Sequence, residues 1–183
     1  NDGHRAAEIT FSSVKLGADA AVGEAGAALP LIEAVVDRAI AALAAEAVGC
    51  MATILDTTID YLKTRTQFGT TIGKFQVLQH RAVDMMVAME AARSMTMYAT
   101  MMLDDPDPSE RARAVAAAKL QLGRSAKYVG QQAIQLHGGI GMTMEYKVGH
   151  YFKRVTAIDL QFGDAAHYQK RLAALGGLYA AAG

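Results

Sequence analysis

The sequence predicts a mainly α protein, an up-and-down four-helix bundle preceded by one or two strands. Three observations carry this. Between Pro30 and Pro106 there is no proline in a stretch rich in Ala, Leu, Ile and Met, which favours long helices. Apolar residues in that stretch and beyond recur at spacings of three, four and seven. The breaks between periodic segments are short and marked by Gly, Pro and Asp.

The elements follow in order. Over residues 5–16, Ile9, Phe11 and Val14 sit among Thr and Ser, with Gly17, Gly23 and Gly26 beyond as turn signals, so one or two strands are predicted there. A lone strand exposes its backbone edges, so this segment, residues 1–27, is expected to be the tail of a β-domain whose remainder lies outside the chain. The opening at Asn1, without methionine or a leader-like stretch, fits an interior point of a longer polypeptide.

Residues 28–183 are expected to form the helical bundle. The first helix spans about 28–64, closed by Gly69 just beyond it. The second, about 74–103, aligns Leu78, Ala82, Met85, Met89 and Ala92 on one face, and Met95 and Met101 are also read as packing residues. Asp107 is a predicted helix cap, Pro108 the first helical position, and Glu110 the capping-box partner. The third helix, about 108–136, repeats Val115, Leu122, Val129 and Leu136 every seven residues, the seam of antiparallel helices at shallow angles. A shorter helix near 146–154, a long loop and a last helix from about 164 to 178 complete the bundle.

Composition narrows the function classes. Of 183 residues 52% are hydrophobic, enough for one sizeable core, and 18 basic residues balance 18 acidic ones, so no global field draws the chain to nucleic acid or an anionic membrane. The single cysteine, Cys50, excludes an internal disulfide and a Cys-based metal site and suits a reducing, cytoplasmic setting. The most hydrophobic stretch, residues 39–55, is interrupted by Glu46 and flanked by charges, so it reads as short of a membrane span. Glu33, Asp37, Glu46, Asp56 and Asp60 line the first helix without histidines at metal-ligand spacing, so no metal site is expected.

Three segments have polar and glycine content that bundle packing alone would not select. In Arg65-Thr66-Gln67-Phe68-Gly69, Arg65 offers a fork of donors suited to phosphate and Phe68 an aromatic cover; Arg65 equally suits the carbonyl end of a helix dipole. Gln135-Leu136-His137-Gly138-Gly139-Ile140-Gly141 lets backbone amides approach a ligand such as pyrophosphate, or simply stops a helix. Phe162-Gly163-Asp164-Ala165-Ala166-His167 pairs two titratable groups at a loop-to-helix junction, where Asp164 equally serves as a cap.

Taken together, Arg65-Thr66-Gln67-Phe68-Gly69, the following Phe75-Gln76, and Gln135 through Gly141 resemble the C-terminal domain of acyl-CoA dehydrogenases over nearly the whole chain. The resemblance implies an FAD enzyme that desaturates an acyl-CoA thioester, built as a dimer or tetramer of identical or related subunits. It further implies that Arg65, Gln67, Phe68, Gln135, Gly138 and Gly139 hold the adenine and pyrophosphate end of FAD bound mainly by a neighbouring subunit. Electrons would pass to an electron-transfer flavoprotein, or to dioxygen in an oxidase-like relative.

The family's base is a glutamate ahead of a Gly-Thr pair, and an ungapped count from Gly138-Gly139 puts Phe162 at that position, with Asp164 at the threonine. An alternative base position on the first helix falls on Ala39, followed by Ile40 in place of arginine. Neither side chain accepts a proton. The resemblance therefore implies the noncatalytic half of a heteromer, similar to the small subunit of pimeloyl-CoA dehydrogenase-like pairs. Two other readings stand beside it: a self-catalytic variant using Asp164, and a noncatalytic assembly scaffold.

Overall fold

The computed structural model describes residues 2–178. Five helices make up about two thirds of it: α1 (Leu29–Thr64), α2 (Gln76–Met102), α3 (Pro108–His137), α4 (Lys147–Leu160) and α5 (Ala165–Ala174). Between α1 and α2, β1 (Thr66–Gln67) and β2 (Thr70–Thr71) pair antiparallel, Thr66 opposite Thr71. Helix α3 is central and packs against the other four.

Helix α1 has Pro30 in its first turn and then runs unbroken for 36 residues, about 54 Å at the α-helical rise. Its buried side carries small residues at Ala41, Ala44 and Ala47 and larger ones at Met51, Ile54 and Leu62, and packs against α3. The most apolar window of α1 reaches a mean hydropathy of 1.6, so Glu46 does not take it below what a membrane crossing needs in length and composition; half of that window is buried inside the bundle.

Helix α3 begins as its sequence dictates. The Asp107 carboxylate accepts a hydrogen bond from the Ser109 amide at 2.8 Å, with Pro108 in the first turn. The capping box does not close: Glu110 pairs with Arg113, and the Asp107 amide donates to Asp105 at 2.8 Å instead. The heptad seam holds, with Val115, Leu122, Val129 and Leu136 all buried. On α2, Met85, Met89 and Ala92 are buried and Met95 packs at the edge of the core, but Met101 is 78% exposed. Ala99 faces the core, and two residues further on the helix has turned by roughly 200°.

Two further expectations change. Residues 5–16 form no strand: the segment is unpaired and Ile9 and Phe11 lie exposed, because no neighbouring strand among the described residues can take its backbone groups. Helix α4 extends to Leu160, since Val155 and Ile158 continue the buried row begun at Val148, and what was expected as a long loop before α5 shrinks to residues 161–164. Helix α5 in turn stops at Ala174, where Gly176 and Gly177 adopt positive φ and the Gly177 amide donates to the Leu172 carbonyl at 3.0 Å.

Candidate functional site

Two regions of α1 carry the residues singled out in the sequence, one at each end of the helix. At the C-terminal end, the Arg65 amide closes the last turn on the Tyr61 carbonyl at 2.8 Å, and its own carbonyl accepts from the Ile72 amide at 2.8 Å. The chain can reverse within four residues because Phe68 and Gly69 both take left-handed backbone conformations, φ 53° and 78°. This thrusts the Phe68 ring outward, 90% exposed and edge-on to Phe75 at 6.1 Å. Gln79 donates to the Gly73 carbonyl at 2.8 Å and ties the hairpin to α2.

The glycine-rich end of α3 lies beside the last turn of α1. The Tyr61 ring, one turn before Arg65, stands 4.5 Å from the buried His137 ring, and Tyr146 completes the cluster at 5.0 Å from His137 and 6.3 Å from Tyr61. His137 immediately precedes Gly138, whose φ of 64° and ψ of −142° suit glycine alone. Gly138 and Gly139 face open space, and Gln135 is exposed. The structure therefore brings Arg65, Gln67, Phe68, Gln135, Gly138 and Gly139 to one end of the bundle. Beneath them His137 holds Nδ1 2.8 Å from the Ala133 carbonyl while Nε2 is buried without a partner. Burial pushes its pKa below the ordinary histidine value, so the ring is neutral.

The second region is an open groove of about 520 Å³ between α1 and the 161–164 connection, lined by Ala39, Ala42, Leu43, Glu46, Gln161 and Phe162. Ala39 and Phe162, far apart in sequence, line the same groove, one from α1 and the other from the 161–164 connection. Asp164 is not part of that lining; its carboxylate caps α5, accepting from the His167 amide at 2.8 Å. Phe162 has φ 58°, unfavourable for a non-glycine residue, and is held there by the Tyr168 hydroxyl, which donates to its carbonyl at 3.0 Å. Gly163 has φ 105°, and a Cβ there would stand 2.7 Å from the exposed His167 ring, so only glycine passes.

Several residues that fix this groove were not marked in the sequence. Lys119 is fully buried and its ammonium donates to the carbonyls of Ile158 at 2.6 Å and Asp159 at 3.0 Å, satisfying the end of α4 just before the connection. Burial pushes the Lys119 pKa down and the Asp159 pKa up. The signal for Lys119 was its place in the Val115–Leu122 seam, a charge where only apolar residues belong. Glu46 meets Arg154 of α4 through both carboxylate oxygens, at 2.5 and 2.7 Å, and Asp2 takes the remaining guanidinium nitrogen at 2.8 Å. Arg154 holds the Glu46 carboxyl below its ordinary pKa, so it is ionised.

Along α1 these two regions are separated by about 29 Å from Glu46 to Arg65 and about 39 Å from Ala39 to Arg65, at 1.5 Å per residue. Residues 29–174 match the family model of the acyl-CoA dehydrogenase C-terminal domain. The chain is 41% identical over 120 residues to the acyl-CoA dehydrogenase IpdE2 of Mycobacterium tuberculosis, covering 66% of this chain and 36% of that protein. Among solved structures, butyryl-CoA dehydrogenase from Megasphaera elsdenii superposes with a TM-score of 0.81 at 28% identity, over 87% of this chain and 41% of that one. A variant of the Tcur3481-Tcur3483 steroid acyl-CoA dehydrogenase gives 0.75 at 33% identity, over 82% and 40%. This chain belongs to the acyl-CoA dehydrogenase family. It spans about two fifths of the length of these relatives.

Proposed function

We propose that this chain is the C-terminal part of a subunit of an FAD-dependent acyl-CoA dehydrogenase, one that lends FAD-binding residues to a neighbouring subunit and does not supply the proton-abstracting carboxylate. The observation that carries the reading is the groove wall. Ala39 and Phe162, the two positions at which the family resemblance places a base, meet there as apolar side chains. The one carboxylate of that lining, Glu46, is bound through both oxygens to Arg154 and is a poor proton acceptor. Asp164 is engaged as the α5 cap, which disfavours the self-catalytic variant.

The residues at the far end of α1 suit FAD. Exposed Arg65 provides a guanidinium for phosphate, Gly138 and Gly139 leave the backbone open to close approach although the Gly138 amide itself donates to the carbonyls of Ile134 and Gln135, and the outward Phe68 ring provides a stacking face. When bound, FAD supplies hydride acceptance at the substrate β-carbon. These donors lie just past the C-terminus of α1 and the groove lies along its N-terminal half, which supports a cofactor shared with a second subunit whose own groove holds the base. A pure assembly scaffold would need no such donor set.

In this reading residues 1–27 are the tail of the family's middle β-domain, the partner is a second acyl-CoA dehydrogenase subunit, and electrons leave through an electron-transfer flavoprotein in a reducing, cytoplasmic setting. The test is anaerobic titration of the full-length subunit, purified with its partner, with acyl-CoA thioesters while the visible flavin spectrum is followed. Bleaching that requires the partner's carboxylate supports the proposal. Bleaching by this subunit alone overturns the noncatalytic role, and failure of any pairing to hold flavin overturns the FAD assignment.

A further inference from the structure

Packing alone does not explain a histidine at position 137. The side chain is buried, at 3% exposure, and a neutral imidazole has one N–H for the two backbone carbonyls that face it, Ala133 of α3 beside Nδ1 at 2.8 Å and Thr57 of α1. Nε2 is left without a partner, and an orphaned buried polar atom destabilises a fold. A phenylalanine ring would fill the same space beside Tyr61 and Tyr146 with no orphaned atom. The histidine therefore has a task that a hydrocarbon ring would not perform.

That task follows from what His137 touches. Its Nδ1 bond runs back one turn along its own helix and fixes the rotation of the ring. The ring in turn meets Tyr61, whose carbonyl accepts the Arg65 amide at 2.8 Å. The next residue in the chain is Gly138, and the turn Gly138–Met142 folds back over the histidine, so closely that a Cβ on Gly141 would stand 3.0 Å from the His137 Cβ. One buried side chain thus bears on both segments assigned to FAD. We infer that His137 is a positioning residue for FAD, one whose Nδ1 bond to the Ala133 carbonyl sets the spacing between Arg65 and the 138–139 backbone.

This rests on the FAD reading of that end of the bundle and deepens it. The test uses the full-length subunit assembled with its partner, stripped of flavin and titrated with FAD. Affinity is read from flavin fluorescence, and stability from the melting midpoint of the FAD-free assembly. His137→Phe keeps a ring and loses the Nδ1 bond, so it is expected to weaken FAD binding about fivefold to tenfold while the midpoint holds or rises. His137→Asn keeps an N–H in the place of Nδ1 and loses the ring, so it is expected to lower the midpoint and yet bind FAD more tightly than the phenylalanine variant. A purely structural role would move both readouts together. Affinity and midpoint that fall in step in both variants, or a phenylalanine variant that binds FAD as the wild type does, overturn the role of His137. Arg65→Ala in the same titration separates the two ideas: weakened binding there leaves the FAD reading in place without His137. If the wild type binds no FAD, or Arg65→Ala binds it unchanged, the FAD reading falls and this inference with it.

Discussion

The His137 ring packs in a three-ring cluster with Tyr61 and Tyr146, its centre 4.5 Å from the first and 5.0 Å from the second, while the two tyrosine rings stand 6.3 Å from each other. This contact joins the last turn of α1 to the last turn of α3, so Arg65 and Gly138 sit where they do because three rings beneath them pack.

That stack makes stability depend on pH. Buried neutral His137 has a lowered pKa in the fold, so its contribution is complete above the free-histidine value near 6.5 and is lost as pH falls through the folded value. The thermal midpoint should fall between pH 7.5 and 5, and His137→Gln should flatten that part of the profile. A slope unchanged by the substitution would assign the acid sensitivity elsewhere.

Phe162→Glu tests the empty base position. With a carboxylate on the groove wall, the assembled enzyme should exchange the acyl α-hydrogen with deuterated solvent at the site this chain forms, read by mass spectrometry with the partner's base removed. Ala39→Glu should do the same from the opposite element. If neither gains exchange, an acyl group does not lie between the two positions.

Arg65→Ala and Gly138→Ala should both lower flavin occupancy, for different reasons. The first removes the guanidinium and leaves the fold unchanged. The second puts a Cβ on a backbone with φ 64° and ψ −142°, a strain of about 1–3 kcal/mol. Flavin absorbance per subunit, measured with the melting midpoint, separates loss of ligand donors from loss of fold.

Gly130→Ala sets helix propensity against packing. In an exposed helix the change gains about 1 kcal/mol, but here the new Cβ runs into the Phe152 ring of α4, and overpacking costs about 1–3 kcal/mol. A lower melting midpoint is expected. Gly130→Ala combined with Phe152→Leu should recover part of it.

The bundle was legible because its signals are local. The 108–137 helix announces itself through Asp107, Pro108 and the seam from Val115 to Leu136, and the structure moves its end by one residue. The buried row at Val148, Val155 and Ile158 is equally local. What could not be read were relations across elements. That Lys119 would satisfy carbonyls of α4, that Arg154 would hold Glu46, and that Ala39 would meet Phe162 depend on how helices pack, which no window of one helix contains. The strand expectation at 5–16 failed for the matching reason: alternation proposes a strand, but only a neighbour can pair it.

Helix α1 is a single uninterrupted rod with no proline after its first turn. A continuous α-helix bends little along its length, so it behaves as a strut and not as a hinge. The hairpin at one end and the groove at the other are bolted to that strut. A neighbouring molecule that seats against the Phe68 end thus sets the orientation of the groove side containing Ala39, and a tilt imposed at one end is carried unchanged to the other.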